Sequence, residues 1–378
     1  MRILMTSTRG AGHFGPLRAF AGAFAREGHT ILVAVPEEAV GMVQRAGHRA
    51  WPLPEPDTRV RDAVFARTRG VSHDEGNAIV VGELFAGVYA RASLPGVEWA
   101  VSEFRPDVLV HESSEYAGPL VAERAELPAV HVCVGLISLG DATVDWAAGH
   151  VDAIRREQGL PPDPLGERLY DRPALSLMPP ALDGRPTPAL YYREPRPEPS
   201  PATWGDDGRS LVYLSLGSVA PSTDAYPRLY RAAIDRLAGL PIRLLVSTGG
   251  QDPDALGPLP DGVRAERWVD EPALGHHLAA MVSHGGAGSI RTALAAGVPL
   301  VLMPLFGDQP LNARAVAAAG AGVALDDGPG GLAGAVAAVL EDPAYGGRAD
   351  EIAGEVAALP PAHEAVAVLR EQIARAAA

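Results

Sequence analysis

The chain has 378 residues, more than one ordinary hydrophobic core serves, so two domains of typical size are expected. Apolar residues make up 47% and charged residues 21%, as in globular proteins, and no uninterrupted apolar run reaches the roughly 20 residues of a bilayer-spanning helix, which argues against membrane insertion. A formal net charge of −14 repels nucleic acid and anionic lipid, and all 32 basic residues are arginine, which excludes a Walker-type phosphate lysine and a Schiff-base lysine.

Met1 to Thr6 is apolar for only about five residues, too short for a secretory signal core, so a cytoplasmic chain is expected. The same residues read as a first strand, Arg2 to Thr6, followed by a loop from Ser7 to Gly15 and an amphipathic helix from Pro16 to Arg26 that Gly28 closes. Gly10, Gly12 and Gly15 match the dinucleotide fingerprint G-x-G-x-x-G, and Glu37 follows the second strand, which supports a nicotinamide or flavin reading. Against it, Pro16 stiffens the helix entry and His13 stands where a pyrophosphate would lie.

Ile31 to Val35, Val108 to Val110 and Ala129 to Val134 continue the strands of the first half. The lone Cys133, in an apolar run, excludes an internal disulfide framework and most cysteine metal sites and reads as a small core residue. His111 to Glu115 nearly spells the zinc motif H-E-x-x-H but ends in glutamate, so a zincin is rejected. Two stretches fall outside the alternation and read as insertions: Glu55 to Leu94, with Phe65, Phe85 and Tyr89, and Leu136 to Val151, with Trp146. Arg193 to Gly208 carries Pro195, Pro197, Pro199 and Pro201 and has linker composition, which divides the chain into a first domain over 1–200 and a second over 209–360.

The second half opens like the first: a strand from Leu211 to Leu216, a glycine loop from Gly217 to Thr223 and a helix from about Asp224 to Leu237. Strands are expected at Ile242 to Val246, Met281 to Val282, Leu300 to Met303 and Gly322 to Leu325. Alternating strands and helices give an α/β fold with parallel sheets covered on both faces, and their ligands bind beyond the carboxyl ends of the strands. Two such sheets facing each other would share one cleft.

The most informative segment is His284-Gly285-Gly286-Ala287-Gly288-Ser289, which leads from a strand into a helical stretch, Ile290 to Ala296. Helix-start amides lack internal partners and carry partial positive charge, so this is an anion seat suited to a phosphate. Asp308 and Gln309, about twenty residues on, add groups suited to sugar hydroxyls. A helix-capping role for Asp308 and a core role for Trp268 remain open at this point.

Trp268-Val269-Asp270-Glu271, the His284–Ser289 segment, Gly297-Val298-Pro299, Gly307-Asp308-Gln309-Pro310-Leu311-Asn312-Ala313 and Ala319-Gly320-Ala321-Gly322 together resemble the inverting nucleotide-sugar glycosyltransferases of the two-lobed GT-B type. The closest likeness is to bacterial natural-product enzymes, with plant UDP-glycosyltransferases also similar. The resemblance covers the full length, and Gly12, His13 and Pro16 meet the family's amino-terminal signature. It implies two Rossmann-like domains, an acceptor-binding first and a donor-binding second, with the final helix, Pro361 to Ala377, crossing back onto the first.

The resemblance makes His13 the general base toward a hydroxyl of a hydrophobic small-molecule acceptor, a task an imidazole suits. Glu112 stands where relatives place an aspartate behind the base, and Glu115 is a second candidate for that role. Gly12, Gly217, Ser218, His284, Gly286, Ala287, Gly288 and Ser289 would receive the donor diphosphate, Trp268 and Val269 the nucleobase, and Asp308 and Gln309 the sugar. Phe65, Phe85, Tyr89 and Trp146 are the acceptor-side candidates. The implied donor is a dTDP- or UDP-linked sugar with dTDP favoured, and no metal and no further cofactor are expected. Inverting O-glycosyl transfer is the leading reading; a catalytically silent partner of another transferase and the oxidoreductase are its alternatives. The aglycone, O- against C- or N-transfer, and homodimerisation stay open.

Overall fold

The computed structural model describes residues 1–183, 189–195, 207–222, 225–326 and 328–377. The chain forms two units: Met1–Leu177, Thr187–Glu194 and Pro360–Ala378 make the first, and Met178–Pro186 with Pro195–Leu359 the second. Of the expected linker, 196–206 lie outside the described residues.

The first unit is built on a parallel sheet of β1 (Arg2–Thr6), β2 (Thr30–Pro36), β3 (Arg49–Leu53), β4 (Val108–Glu112), β5 (Ala129–Val132), β6 (Ala174–Ser176) and β7 (Leu190–Tyr191), in the order β3-β2-β1-β4-β5-β6-β7. The chain leaves β1 toward β2 on one side and returns on the other at β4, so the strand order reverses between β1 and β4. At such a point the loops diverge and leave a crevice at the carboxyl ends. The register pairs Thr6 with His111, which sets the residues after β1 beside the end of β4.

The second unit repeats the plan with β8 (Ser210–Ser215), β9 (Ile242–Ser247), β10 (Val263–Glu266), β11 (Ala280–Ser283), β12 (Leu300–Leu302) and β13 (Gly322–Ala324), in the order β10-β9-β8-β11-β12-β13. Its switch point falls between β8 and β11, where Ser215 pairs with Ser283, so the Gly217 loop and the His284 turn leave the sheet side by side. The expected α/β class with parallel sheets is what the structure shows in both units.

Several expected elements are corrected. The helix after β1 starts at Ala11, not Pro16, so Gly12, His13 and Gly15 are helical; Gly10, at φ 106°, makes the turn instead. Pro16 is tolerated because the carbonyl it leaves without an amide partner belongs to the exposed first turn. The stretch read as an irregular insertion over Glu55 to Leu94 is helical: Thr58–Ala66, then His73–Ala78, the π-helical Ile79–Tyr89 and Ala90–Phe104 in one continuous run. Leu136 to Val151 is likewise mostly helix, Ser138–Glu157. In the second unit the first helix begins at Arg228, after Pro227, and Asp224 lies outside the described residues.

The run His73–Phe104 is long and apolar enough by length and composition to cross a membrane, with 44% of its most apolar window buried inside the protein. Ala86, Ala90, Leu94, Val97, Ala100 and Phe104 join the core on one face of the first sheet, which identifies it as a core helix. On the other face, the helix Ala11–Arg26 packs with Val366, Val368 and Leu369 of the last helix, Val366–Ala376. Gly82 is the closest approach between the π-helical segment and the helix Ser138–Glu157: a Cβ there would overlap the Trp146 carbonyl oxygen and lie 3.2 Å from the His150 ring. Gly82→Ala should therefore lower stability by about 1–3 kcal/mol, read as a reduced thermal midpoint. An unshifted midpoint would contradict this packing.

Candidate active site and donor seat

The end of β4 gathers the first group. Glu112 is its last residue, with no side-chain exposure, and its carboxylate is surrounded by donors. Thr8 donates to Oε1 through its amide at 3.0 Å and its hydroxyl at 2.9 Å. The Ser114 amide meets Oε2 at 2.7 Å, and Nδ1 of His13 lies 3.2 Å from the same oxygen. Burial pushes the Glu112 carboxyl up, but the facing His13 charge and the hydrogen bonds from His13, Ser114 and Thr8 outweigh it and hold the group below the usual range. An ionised carboxylate only accepts, so the proton in this contact sits on Nδ1, and in the neutral form of the ring Nε2 carries the basic lone pair.

His13 itself keeps 24% of its side-chain surface accessible. Phe85 stands edge-on to the imidazole, with ring centroids 5.3 Å apart, and Tyr89 lies beside Phe85 with its hydroxyl accepting from Arg9 at 3.0 Å. Phe85 and Tyr89 both belong to the π-helical segment, a rare geometry often found at functional sites. Of the other two aromatic candidates, Phe65 is 55% exposed on the helix Thr58–Ala66, and Trp146 is partly buried on Ser138–Glu157.

Glu115, the other candidate partner of the base, faces elsewhere. It accepts from the Thr6 hydroxyl and from the amides of Ala117 and Gly118, at the start of the helix Ala117–Arg124. The structure thus brings Glu112 to His13 and uses Glu115 to tie β1 to that helix.

In the second unit the helix Ala287–Ala295 follows Gly286 directly, so Ala287, Gly288 and Ser289 form its first turn. The His284 ring is enclosed by glycines: a Cβ on Gly217 would lie 2.6 Å from Nε2, and one on Gly286 2.5 Å from it. Burial pushes His284 down to about 4, with a bond to the Ser215 backbone partly offsetting it, so the ring is neutral near pH 7. Ser218 is exposed on the neighbouring loop.

Asn312 donates to the Gly285 carbonyl at 3.0 Å and to Asp308 at 2.8 Å. Gln309 is buried, and its Oε1 accepts from the amides of Leu305 and Phe306. Its carboxamide oxygen therefore shapes the loop. Trp268 is 66% exposed, which removes the reading of it as a core anchor, and Val269 beside it is partly buried. A Cβ on Gly250 would lie 3.1 Å from the indole, so the ring rests on that backbone.

Two contributors were missed in the sequence. Thr8 had no signal beyond its place after a strand. Glu271 accepts from the Tyr213 hydroxyl at 2.9 Å and from Ser289 at 3.4 Å, and burial raises its carboxyl despite those bonds. Among the described residues no group of three or more His, Cys, Asp or Glu side chains is placed to hold a metal ion.

Comparison with known proteins completes this picture. Residues 231–372 match the family described as Erythromycin biosynthesis protein CIII-like, C-terminal domain. The L-demethylnoviosyl transferase of Streptomyces niveus is 34% identical over 329 residues, covering 86% of this chain and 85% of that protein. The crystal structure of the glycosyltransferase SnogD from Streptomyces nogalater superposes with a TM-score of 0.76 at 26% identity, covering 98% of this chain and 99% of that one. The Streptomyces sp. SF2575 glycosyltransferase SsfS6, solved with thymidine diphosphate, gives 0.78 at 23% identity, covering 98% and 99%.

Two Rossmann-like parallel sheets with this likeness define a GT-B enzyme of sugar transfer. The chain belongs to the natural-product glycosyltransferase family. That membership leaves the dinucleotide reading of Gly10, Gly12 and Gly15 without support, and two of those glycines are helical.

Burial pushes the Glu115 carboxyl up to about 7, against the bonds from Thr6, Gly118 and Ala117, with the Glu112 charge adding to the rise. The unfolded carboxyl releases its proton near pH 4.3, so over the interval up to about 7 the folded chain binds the extra proton. Stability from this group therefore falls as pH rises through that interval and levels off above it. Glu115→Gln cannot titrate, so its stability relative to the parent should increase from pH 5 to pH 8, measured as urea midpoints. A constant difference would contradict the assignment.

Proposed function

We propose that the chain moves a sugar, a deoxysugar in the favoured case, from a dTDP-linked donor to a hydroxyl of a hydrophobic natural-product aglycone, with inversion at the anomeric carbon. The observation that carries this reading is the contact of His13 Nδ1 with the buried, ionised Glu112. It orients the imidazole so that Nε2 takes the acceptor proton as the oxygen attacks C1, and the fixed carboxylate stabilises the imidazolium that forms. Phe85 and Tyr89 give the base an apolar flank suited to an aromatic or polyketide acceptor.

On the donor side, the helix start at Ala287, Gly288 and Ser289 receives the departing diphosphate, whose charge is met by fixed amide dipoles. Neutral His284 fills the space between Gly217 and Gly286 and backs this seat without adding charge, and Asp308 and Gln309 address the sugar. Exposed Trp268 offers a flat face to the nucleobase, with Val269 alongside. The solved relative with thymidine diphosphate favours dTDP over UDP. With amide dipoles serving the leaving group, turnover needs no added metal and should persist in EDTA.

His13→Ala should lower kcat by at least about a hundredfold while dTDP affinity changes less than about twofold. The product of the unaltered enzyme should have the opposite anomeric configuration to the donor, read by the proton coupling at C1. Parent-level turnover in His13→Ala would refute the base, and a retained configuration would refute single displacement.

A further inference from the structure

The Glu112 carboxylate receives more than the histidine contact requires. Four donors converge on its two oxygens: the Thr8 amide and hydroxyl on Oε1, the Ser114 amide and His13 on Oε2. Three of them are fixed by backbone or by a side chain on the loop after β1, and only His13 moves with the helix Ala11–Arg26. The register between β1 and β4 brings that loop to the end of β4, because Thr6 pairs with His111 and the chain then runs past Glu112 to Thr8.

We propose that Thr8 is a positioning residue: its hydroxyl and amide hold the Glu112 carboxylate, and the longer arm of glutamate is required for that carboxylate to touch Thr8 and His13 at once. The inference rests on His13 acting as the base. Thr8 meets Oε1 and His13 meets Oε2, so the carboxylate bridges the loop after β1 and the helix that carries the base. An aspartate at 112 would withdraw the carboxylate by one methylene, about 1.5 Å, which is more than a hydrogen bond tolerates. A loose carboxylate would leave the imidazole without a fixed tautomer or direction, which acts on the proton-transfer step and not on donor binding in the second unit.

The test is steady-state kinetics of Thr8→Val, Thr8→Ser, Glu112→Asp, Glu112→Gln and the double variant Thr8→Val/Glu112→Gln, with dTDP affinity measured in parallel. Thr8→Val keeps the amide and shape but loses the hydroxyl, and kcat should fall about tenfold with dTDP affinity and donor KM unchanged. Thr8→Ser should recover kcat to within about threefold of the parent, and Glu112→Asp should lose at least about tenfold. In the Glu112→Gln background, Thr8→Val should cost less than about twofold more, because the two residues act as one unit.

Parent-level kcat in Thr8→Val or Glu112→Asp would overturn the proposal, as would an undiminished Thr8→Val effect in the Glu112→Gln background. If Thr8→Val fails to fold, Thr8→Ser and Glu112→Asp decide it. His13→Ala run in the same assay separates the two claims. An inactive His13→Ala beside an unaffected Thr8→Val sinks the positioning role alone, whereas an active His13→Ala removes the reading beneath it.

Discussion

The site in the first unit depends on one buried charge. Glu112 has no solvent contact, and an ionised carboxylate in that position persists only when nearly all its lone pairs are met. Two loop-borne donors from Thr8, one amide from Ser114 and one imidazole meet them. Thr8 and His13 would not be in place without the strand order that puts β4 directly beside β1. Sheet topology and local electrostatics are therefore one constraint: the switch point supplies the crevice, and the carboxylate fixes what enters it.

The second unit solves a different problem with the same topology. Its switch point between β8 and β11 gathers neutral groups and amide dipoles, with the His284 ring enclosed between Gly217 and Gly286. Side chains on those glycines would collide with the ring, which explains why glycine occupies both positions. Burial keeps the imidazole uncharged, so the positive partial charge at this turn comes from the helix start and not from a cationic side chain. Glu271, tied to Tyr213 and Ser289, shows that a carboxyl near this seat is accommodated only with its own hydrogen-bond partners.

Much of this was legible in the sequence because the relevant signals are local. Strand, glycine turn and helix start are read from consecutive residues, so the turn at His284 to Ser289 and the strands β1, β2, β4, β5, β8, β9, β11, β12 and β13 were found. The strands β3, β6, β7 and β10, at or next to the sheet edges, were not, since they are brief and only partly apolar. The helices within 55–94 and 136–151 were mistaken for irregular insertions because Gly82 and Gly87 interrupt the helical pattern in the first and Gly140 and Gly149 in the second, and their stability comes from tertiary packing on the first sheet. Helical propensity alone does not reveal a segment whose glycine exists to let a neighbouring helix approach.

The contrast between Glu112 and Glu115 shows where sequence reasoning ends. Three residues apart and chemically identical, they were interchangeable partners for His13 on spacing alone. The structure separates them by what surrounds each carboxylate. Glu112 faces an imidazole and three further donors and is held ionised, whereas Glu115 faces a threonine and a helix start and is pushed toward its neutral form. Glu112 also shapes Glu115, since its charge is among the causes that raise the Glu115 carboxyl. Two carboxyls this close at the end of one strand are compatible with burial because their environments drive them apart, which leaves the single negative charge on Glu112, beside the His13 ring.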